Sequence, residues 1–321
     1  MEKQVPLSQA GSTSAQPRKA EKKPGLHLPS FRVNNPREAL ELVMNLIFFI
    51  CGMIAVAFVL VISIYLVISG LPAIAEIGPI DFLFGKKWYA STGDFGIFAI
   101  ILTSFAGTGG AILVGVPIGL MTAIFLAKVA PPRIARIIHT AVELLAGIPS
   151  VVYGLVGMIL LVPAIRDAFD LASGATLLAA IIVLAVMILP SIISVSETAL
   201  RAVPQEYEEA SLALGATHIE TVFRVSVPAA RSGIATAIVL GIGRAIGEAM
   251  AIIMVAGNVA NMPGLLTPVR FLTTAIVSEM AYAGVGSLHR NALFSIGLVL
   301  FLFIMLINVF LNVFIKNKKE G

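Results

Sequence analysis

Apolar runs follow one another along almost the whole chain, separated by short polar breaks. Six of them, at 42–69, 97–127, 137–162, 175–196, 232–256 and 292–315, are each about 20 residues or longer. That is the length a helix needs to cross a hydrocarbon layer of roughly 30 Å. Backbone groups in lipid must be satisfied inside the structure, which leaves only helices or closed barrels. Barrel strands would alternate apolar and polar positions over about ten residues, and no such stretch occurs. The pattern therefore predicts an all-α, polytopic membrane protein with six transmembrane helices.

The polar ends frame this domain. Residues 1–41, rich in Pro, Ser and Lys, read as a flexible tail, 42–315 as the membrane domain, and 316–321 as a short basic tail. A cleaved leader is not expected, because the apolar run from Leu42 to Ile68 exceeds the 7–15 residues of a signal core and its polar prefix is too long. Sixteen Lys and Arg fall on the side of the termini and five on the other, with Arg244 inside a span. This asymmetry places both termini in the cytoplasm.

Composition narrows the chemistry. Of 321 residues, 58% are hydrophobic and 12% charged, against about 25% charged in a soluble domain. The net charge of +4 reflects topology, so nucleic acid is not an expected partner and membrane lipid is. Cys51 is the single cysteine and reads as a small packing residue. The four histidines lack metal-ligand spacing, so neither metal nor cofactor is expected. No G-x-x-x-x-G-K-[ST] run occurs, and Gly241-x-Gly243-x-x-x-Gly247 lies in an apolar span with no strand before it. The chain is not expected to hydrolyse ATP or to be an enzyme.

Three loops carry more than a connection. Trp88 and Tyr89 in loop 70–96 suit an interfacial anchor. Loop 257–291, punctuated by Pro263-Gly264, Pro268, Gly284 and Gly286, is a candidate re-entrant or partner-facing segment. Loop 197–231 is expected to divide at Pro204, to place acids at a helix N-terminus from Gln205, and to turn at a left-handed Gly215 before a second helical stretch, 217–226.

Within that loop, Glu209-Ala210-Ser211, three residues, Gly215, nine residues, then Val225-Ser226-Val227-Pro228 resembles the EAA motif of type I ABC importer permeases. Ser211, Val225 and Val227 depart from Ala, Ile and Leu of that motif, and its spacing is kept. Gly147-Ile148-Pro149-Ser150-Val151-Val152-Tyr153-Gly154, the run from Gly243 to Ala251, and Val255-Ala256-Gly257-Asn258 are similar to phosphate-specific importer permeases, the C-type subunit more than the A-type. The likeness covers about residues 40–315. It implies the type I ABC importer permease fold and a coupling helix, carrying Glu209, Ala210, Ser211, Gly215 and Pro228, that docks on a separate ATPase. It further implies a second permease subunit completing a heterodimeric channel, two ATPase subunits, an extracytoplasmic phosphate-binding protein, and phosphate as substrate, carried inward across the inner membrane. The alternatives are a permease for another oxyanion or phosphonate, and an ion-coupled secondary transporter.

Two further expectations concern the spans. Arg244 sits mid-span, where a charge costs about 2.5–3.5 kcal/mol or more, with Glu248 one turn away. Either the pair lines a substrate pathway and Arg244 meets an oxyanion with its planar fork, or it locks helices together. Gly243 and Gly247 offer a small-residue face for helix packing, and Pro149 a kink. Glu143 is expected to pair with a loop base such as Arg136, and Gly115-x-Pro117-x-Gly119 to combine packing with a kink.

Overall fold

A computed structural model describes residues 36–317, with side chains from 40 to 309. Most of the two expected tails lies outside the described residues. The described chain is helical apart from one two-stranded hairpin. The first helix, α1 (Pro36–Ile77), passes through Pro72 without a break. Its part up to residue 60 is a continuous apolar rod, on which Cys51 is exposed.

The chain from 61 onward forms a bundle. It contains the short helix α2 (Pro79–Phe84), the hairpin β1 (Trp88–Tyr89) and β2 (Asp94–Phe95), and α3 (Phe98–Ile124). Then follow α4 (Pro132–Gly147), α5 (Ser150–Val156), α6 (Val162–Phe169) and α7 (Leu177–Arg201). Next come α8 (Gln205–Ala213), α9 (His218–Thr221), α10 (Val227–Ala229) and α11 (Arg231–Gly247). The last are α12 (Met250–Val255), α13 (Leu272–Glu279) and α14 (Leu288–Asn317).

Helix α7 is the axis of this bundle. Leu184, Met187, Ile188 and Ile192 on it are fully buried, with α3 and α11 packed along it. Lipid tails are as apolar as leucine, so burial by itself does not hold such helices together; close packing does. A methyl group added at Gly115 would sit 2.8 Å from the Ile188 side chain, and one at Gly119 2.8 Å from that of Ile192. The expected packing role of Gly115 and Gly119 is met, and α3 runs through Pro117 uninterrupted.

Among the described residues, five helices are long and apolar enough to cross a membrane, or six if a pair of segments bent by 70°, 218–229 and 231–247, counts as one span. Two of the expected spans are redrawn. The third was expected at 137–162, but the apolar helix runs from Ser150 to Phe169, and 132–147 is a separate helix. Pro149 breaks the helix rather than kinking it: Ile148 (φ −71°, ψ 127°) and Pro149 itself (φ −58°, ψ 141°) are both extended. The fifth, expected as one helix at 232–256, is broken after Gly247, where Glu248 is extended at φ −74°, ψ 133°.

At the hairpin end, Phe82, Trp88, Phe95, Leu293 and Ile296 form a second buried cluster. The expectation that Trp88 is an interfacial anchor is corrected here. It is 3% exposed and donates from Nε1 to Glu279 Oε2 at 2.9 Å, while Tyr89 is exposed. Glu279 also takes Arg270 and, at 2.7 Å, His289 Nε2. Loop 257–291 is thereby tied to the hairpin, and Arg270 further donates from Nε and Nη2 to the Asn258 carbonyl. Burial pushes the Glu279 carboxyl up, but the hydrogen bonds from Trp88 and His289 and the Arg270 charge outweigh it and hold it below the usual range.

Candidate functional site

The helices that follow the two breaks meet. A methyl group on Gly154 in α5 would lie 2.8 Å from the Ala251 backbone and 2.9 Å from Met254, so α5 and α12 touch through a bare backbone. The segments 147–154 and 243–256, separate in the sequence, are thus one structural unit. Each break finds replacement hydrogen bonds, as backbone at membrane depth requires. Tyr153 spans the first by donating its hydroxyl to the Leu145 carbonyl at 2.7 Å. At the second, Thr273 donates to the Glu248 carbonyl at 2.6 Å, and a Glu248 carboxylate oxygen accepts the Ala251 N–H at 3.0 Å.

Arg244 stands in the last turn of α11, half-buried, and donates from Nη1 to the Ser191 hydroxyl on α7 at 3.3 Å. The expected Arg244–Glu248 pair is not formed: no ion pair joins them among the described residues, because the chain leaves the helix between them and Glu248 turns to cap α12. The expected packing at Gly243 and Gly247 is also not made among the described residues. Both are exposed, and a methyl group added to either would meet nothing within 4 Å.

The loop after α7 has the expected elbow. Pro204 ends the turn before α8, and Gly215 takes φ +88°, a left-handed value that a β-branched residue reaches only under strain. Thr217 then caps α9, its hydroxyl accepting the Glu220 N–H while the Glu220 carboxylate accepts the Thr217 N–H. Backbone and hydroxyl hydrogen bonds from Thr217 hold the exposed Glu220 carboxyl below its ordinary value.

Ser211 faces Thr221 across the elbow, the two hydroxyls 2.9 Å apart. Glu209, Ala210 and Pro228 are exposed. Helix α8 buries none of its residues, and Leu214 and Ile219 are 90% and 67% exposed. Sequence reasoning missed the neighbours of this loop. Glu208 pairs with Lys128 and accepts from Ser226 at 2.8 Å. Burial pushes its carboxyl up, but hydrogen bonds from Lys128 and Ser226 and the Lys128 and His218 charges prevail and lower it. Glu143 pairs with His139, not Arg136, and the other His139 ring nitrogen faces Glu197 at 3.2 Å.

Two broken helices packed through bare backbone, an arginine one turn before one of the breaks, and an exposed elbow of two short helices suit a multi-pass membrane transport component. The chain matches, over residues 115–319, the model of the binding-protein-dependent transport system inner membrane component, and it belongs to that family. The probable ABC transporter permease protein YqgH of Bacillus subtilis (strain 168) is 41% identical over 266 residues, 80% of this chain and 86% of that one. The phosphate transport system permease protein PstC of Mesorhizobium japonicum is 35% identical over 247 residues, 71% and 75% of the two chains. That of Haemophilus influenzae is 33% identical over 279 residues, 81% and 88%. An inward-facing structure of the MetNI methionine ABC transporter superposes with a TM-score of 0.54 at 22% identity, covering 68% of this chain and 94% of that one, a likeness of fold. The protein is a multi-pass inner-membrane transport subunit, in a family of permeases rather than enzymes.

Proposed function

We propose that this chain is one permease subunit of an ATP-driven ABC importer that carries inorganic phosphate into the cytoplasm. The observation that carries the reading is the elbow at 205–230: α8 buries nothing of its own, and Ala210, Leu214 and Ile219 are displayed on either side of a left-handed glycine. Such a surface suits docking on a separate ATPase. The channel would be completed by a second permease subunit, fed by an extracytoplasmic phosphate-binding protein and driven by two ATPase subunits. Both termini and the elbow then lie in the cytoplasm, as the basic-residue asymmetry favours.

Phosphate is favoured by relatives that are phosphate transport permeases and by Arg244, a half-buried guanidinium one turn before the break at Glu248. With only Nη1 engaged among the described residues, its fork can meet an oxyanion with several donors. Arg244 would meet the anion, and Glu248 would border the path while holding the backbone.

The test is uptake by the complete transporter in liposomes. Uptake is expected to need ATP and loaded binding protein, and to be competed by phosphate before phosphonate or sulfate. Uptake driven by an ion gradient without ATP would overturn the ABC reading; preferential phosphonate uptake would overturn the substrate. Arg244→Lys is expected to lower uptake about tenfold and Arg244→Gln further, since a lost oxyanion contact of this kind costs roughly 1.5–3 kcal/mol. Wild-type uptake by Arg244→Gln would remove Arg244 from the path.

A further inference from the structure

The turn that prolongs α3, Phe125–Val129, holds the elbow at two points and the end of α7 at a third, and the sequence explains why it can. From Phe125 to Val129 the last turn widens, and the Ala130 N–H reaches back to the Phe125 carbonyl at 2.7 Å. Pro131 and Pro132 follow and have no N–H to give. The carbonyls of Leu126, Ala127 and Lys128 therefore lack the donors a continuing helix would supply. Two side chains from elsewhere take their place. Arg201 Nη2, at the end of α7, donates to the Leu126 carbonyl at 3.0 Å. His218 Nε2, at the start of α9, lies 2.9 Å from the Lys128 carbonyl. A carbonyl only accepts, so His218 carries a proton on Nε2 there. The Lys128 ammonium in turn holds Glu208 of α8, with their side chains 11% and 18% exposed.

One residue thus grips both arms of the elbow, α8 through its side chain and α9 through its carbonyl. Beyond it α3 is keyed to α7 by Gly115 and Gly119 against Ile188 and Ile192. Ser191, the partner of Arg244, lies between those two isoleucines in the sequence of α7.

We propose that Lys128 is a positioning residue that makes the elbow and the end of α3 move as one body, so that displacement of the elbow reaches the pathway through α3 and α7. This rests on the reading of the elbow as the ATPase contact. Losing one partner of a mostly buried ion pair leaves the other charge uncompensated, so either side of the Lys128–Glu208 pair can be broken to slacken the link.

The experiment uses the complete transporter in liposomes and compares Lys128→Met, Glu208→Gln, and the exchange of Lys128→Glu with Glu208→Lys. Its readout is phosphate taken up per ATP hydrolysed, in preparations matched for bound ATPase. Each single variant is expected to lower that ratio about tenfold, within the range of coupling between sites, and the exchange to recover most of it. Ser226 supports either polarity, since a hydroxyl both donates and accepts.

A wild-type ratio in both single variants would overturn the proposal. So would loss of assembly in Glu208→Gln without a change in ratio among the assembled fraction, which would assign the pair to folding alone. Ala210→Arg separates the underlying reading. If it transports normally, the elbow is not the ATPase contact; if it is inactive while Lys128→Met couples fully, only the role of Lys128 falls.

Discussion

The loops at the two ends of the bundle differ in what lies beneath their exposed apolar side chains, which both ends have: Tyr89, Tyr282 and Val285 at one, Leu214 and Ile219 at the other. At the hairpin end Phe82, Trp88 and Phe95 are at most 4% exposed, and the polar groups among them converge on Glu279. At the elbow end Tyr207, Leu214, Ile219 and Phe223 are all about half exposed or more. Both ends contain ion pairs, so charge alone does not separate them. The hairpin end has a buried cluster of large rings of its own under that surface, whereas α8 of the elbow buries none of its residues and its apolar side chains have no such cluster beneath them, the pattern expected of a binding site.

That contrast is open to direct attack, and the largest effect is expected at the hairpin. Trp88→Ala removes a buried ring and one hydrogen bond to Glu279, and should cost about 3–5 kcal/mol. A lowered unfolding temperature in detergent would show it, and an unchanged one would mean that this end is not self-sufficient. Acid should act on the same place. Glu279 has a lowered pKa in the folded protein, so its contribution is present above the unfolded value and is lost as pH falls through the folded one. Unfolding followed at stepwise lower pH should show this loss, and Glu279→Gln should flatten it.

Effects at the elbow on stability should be smaller while those on coupling are larger. Gly215→Val forces a β-branched residue to φ +88°, a strain of order 1–3 kcal/mol, and should lower ATP hydrolysis stimulated by loaded binding protein. Leu214→Ser, at a position 90% exposed, should change stability by less than about 0.5 kcal/mol yet weaken ATPase binding. If Leu214→Ser destabilised the isolated subunit as much as Trp88→Ala, the distinction between the two ends would fail.

The same contrast marks what was legible in the sequence. The elbow was readable because it is local: Pro204 and Gly215 act within a few residues of themselves. The spans were readable because each is long and apolar. The breaks at Ile148 and Glu248 were not, since averaged hydropathy does not register the direction of the backbone, and Glu248 between Gly247 and Ala249 reads equally well as one more helical turn. Trp88 could not be told from a surface anchor without its partner 191 residues away. The Lys128–Glu208 and His139–Glu197 pairs likewise depend on which loops the bundle brings together.

The bare elbow also bears on the life of the subunit before assembly. On the proposed reading, a newly inserted copy presents Leu214, Ile219 and Phe223 to the cytoplasm until an ATPase subunit covers them. Exposed apolar loops of this kind are what proteases and holdase chaperones bind, and a modest shift in such exposure changes abundance several-fold. Copies made in excess of the ATPase would then be removed, and the surface that transmits force in the finished transporter would also keep its subunits in proportion.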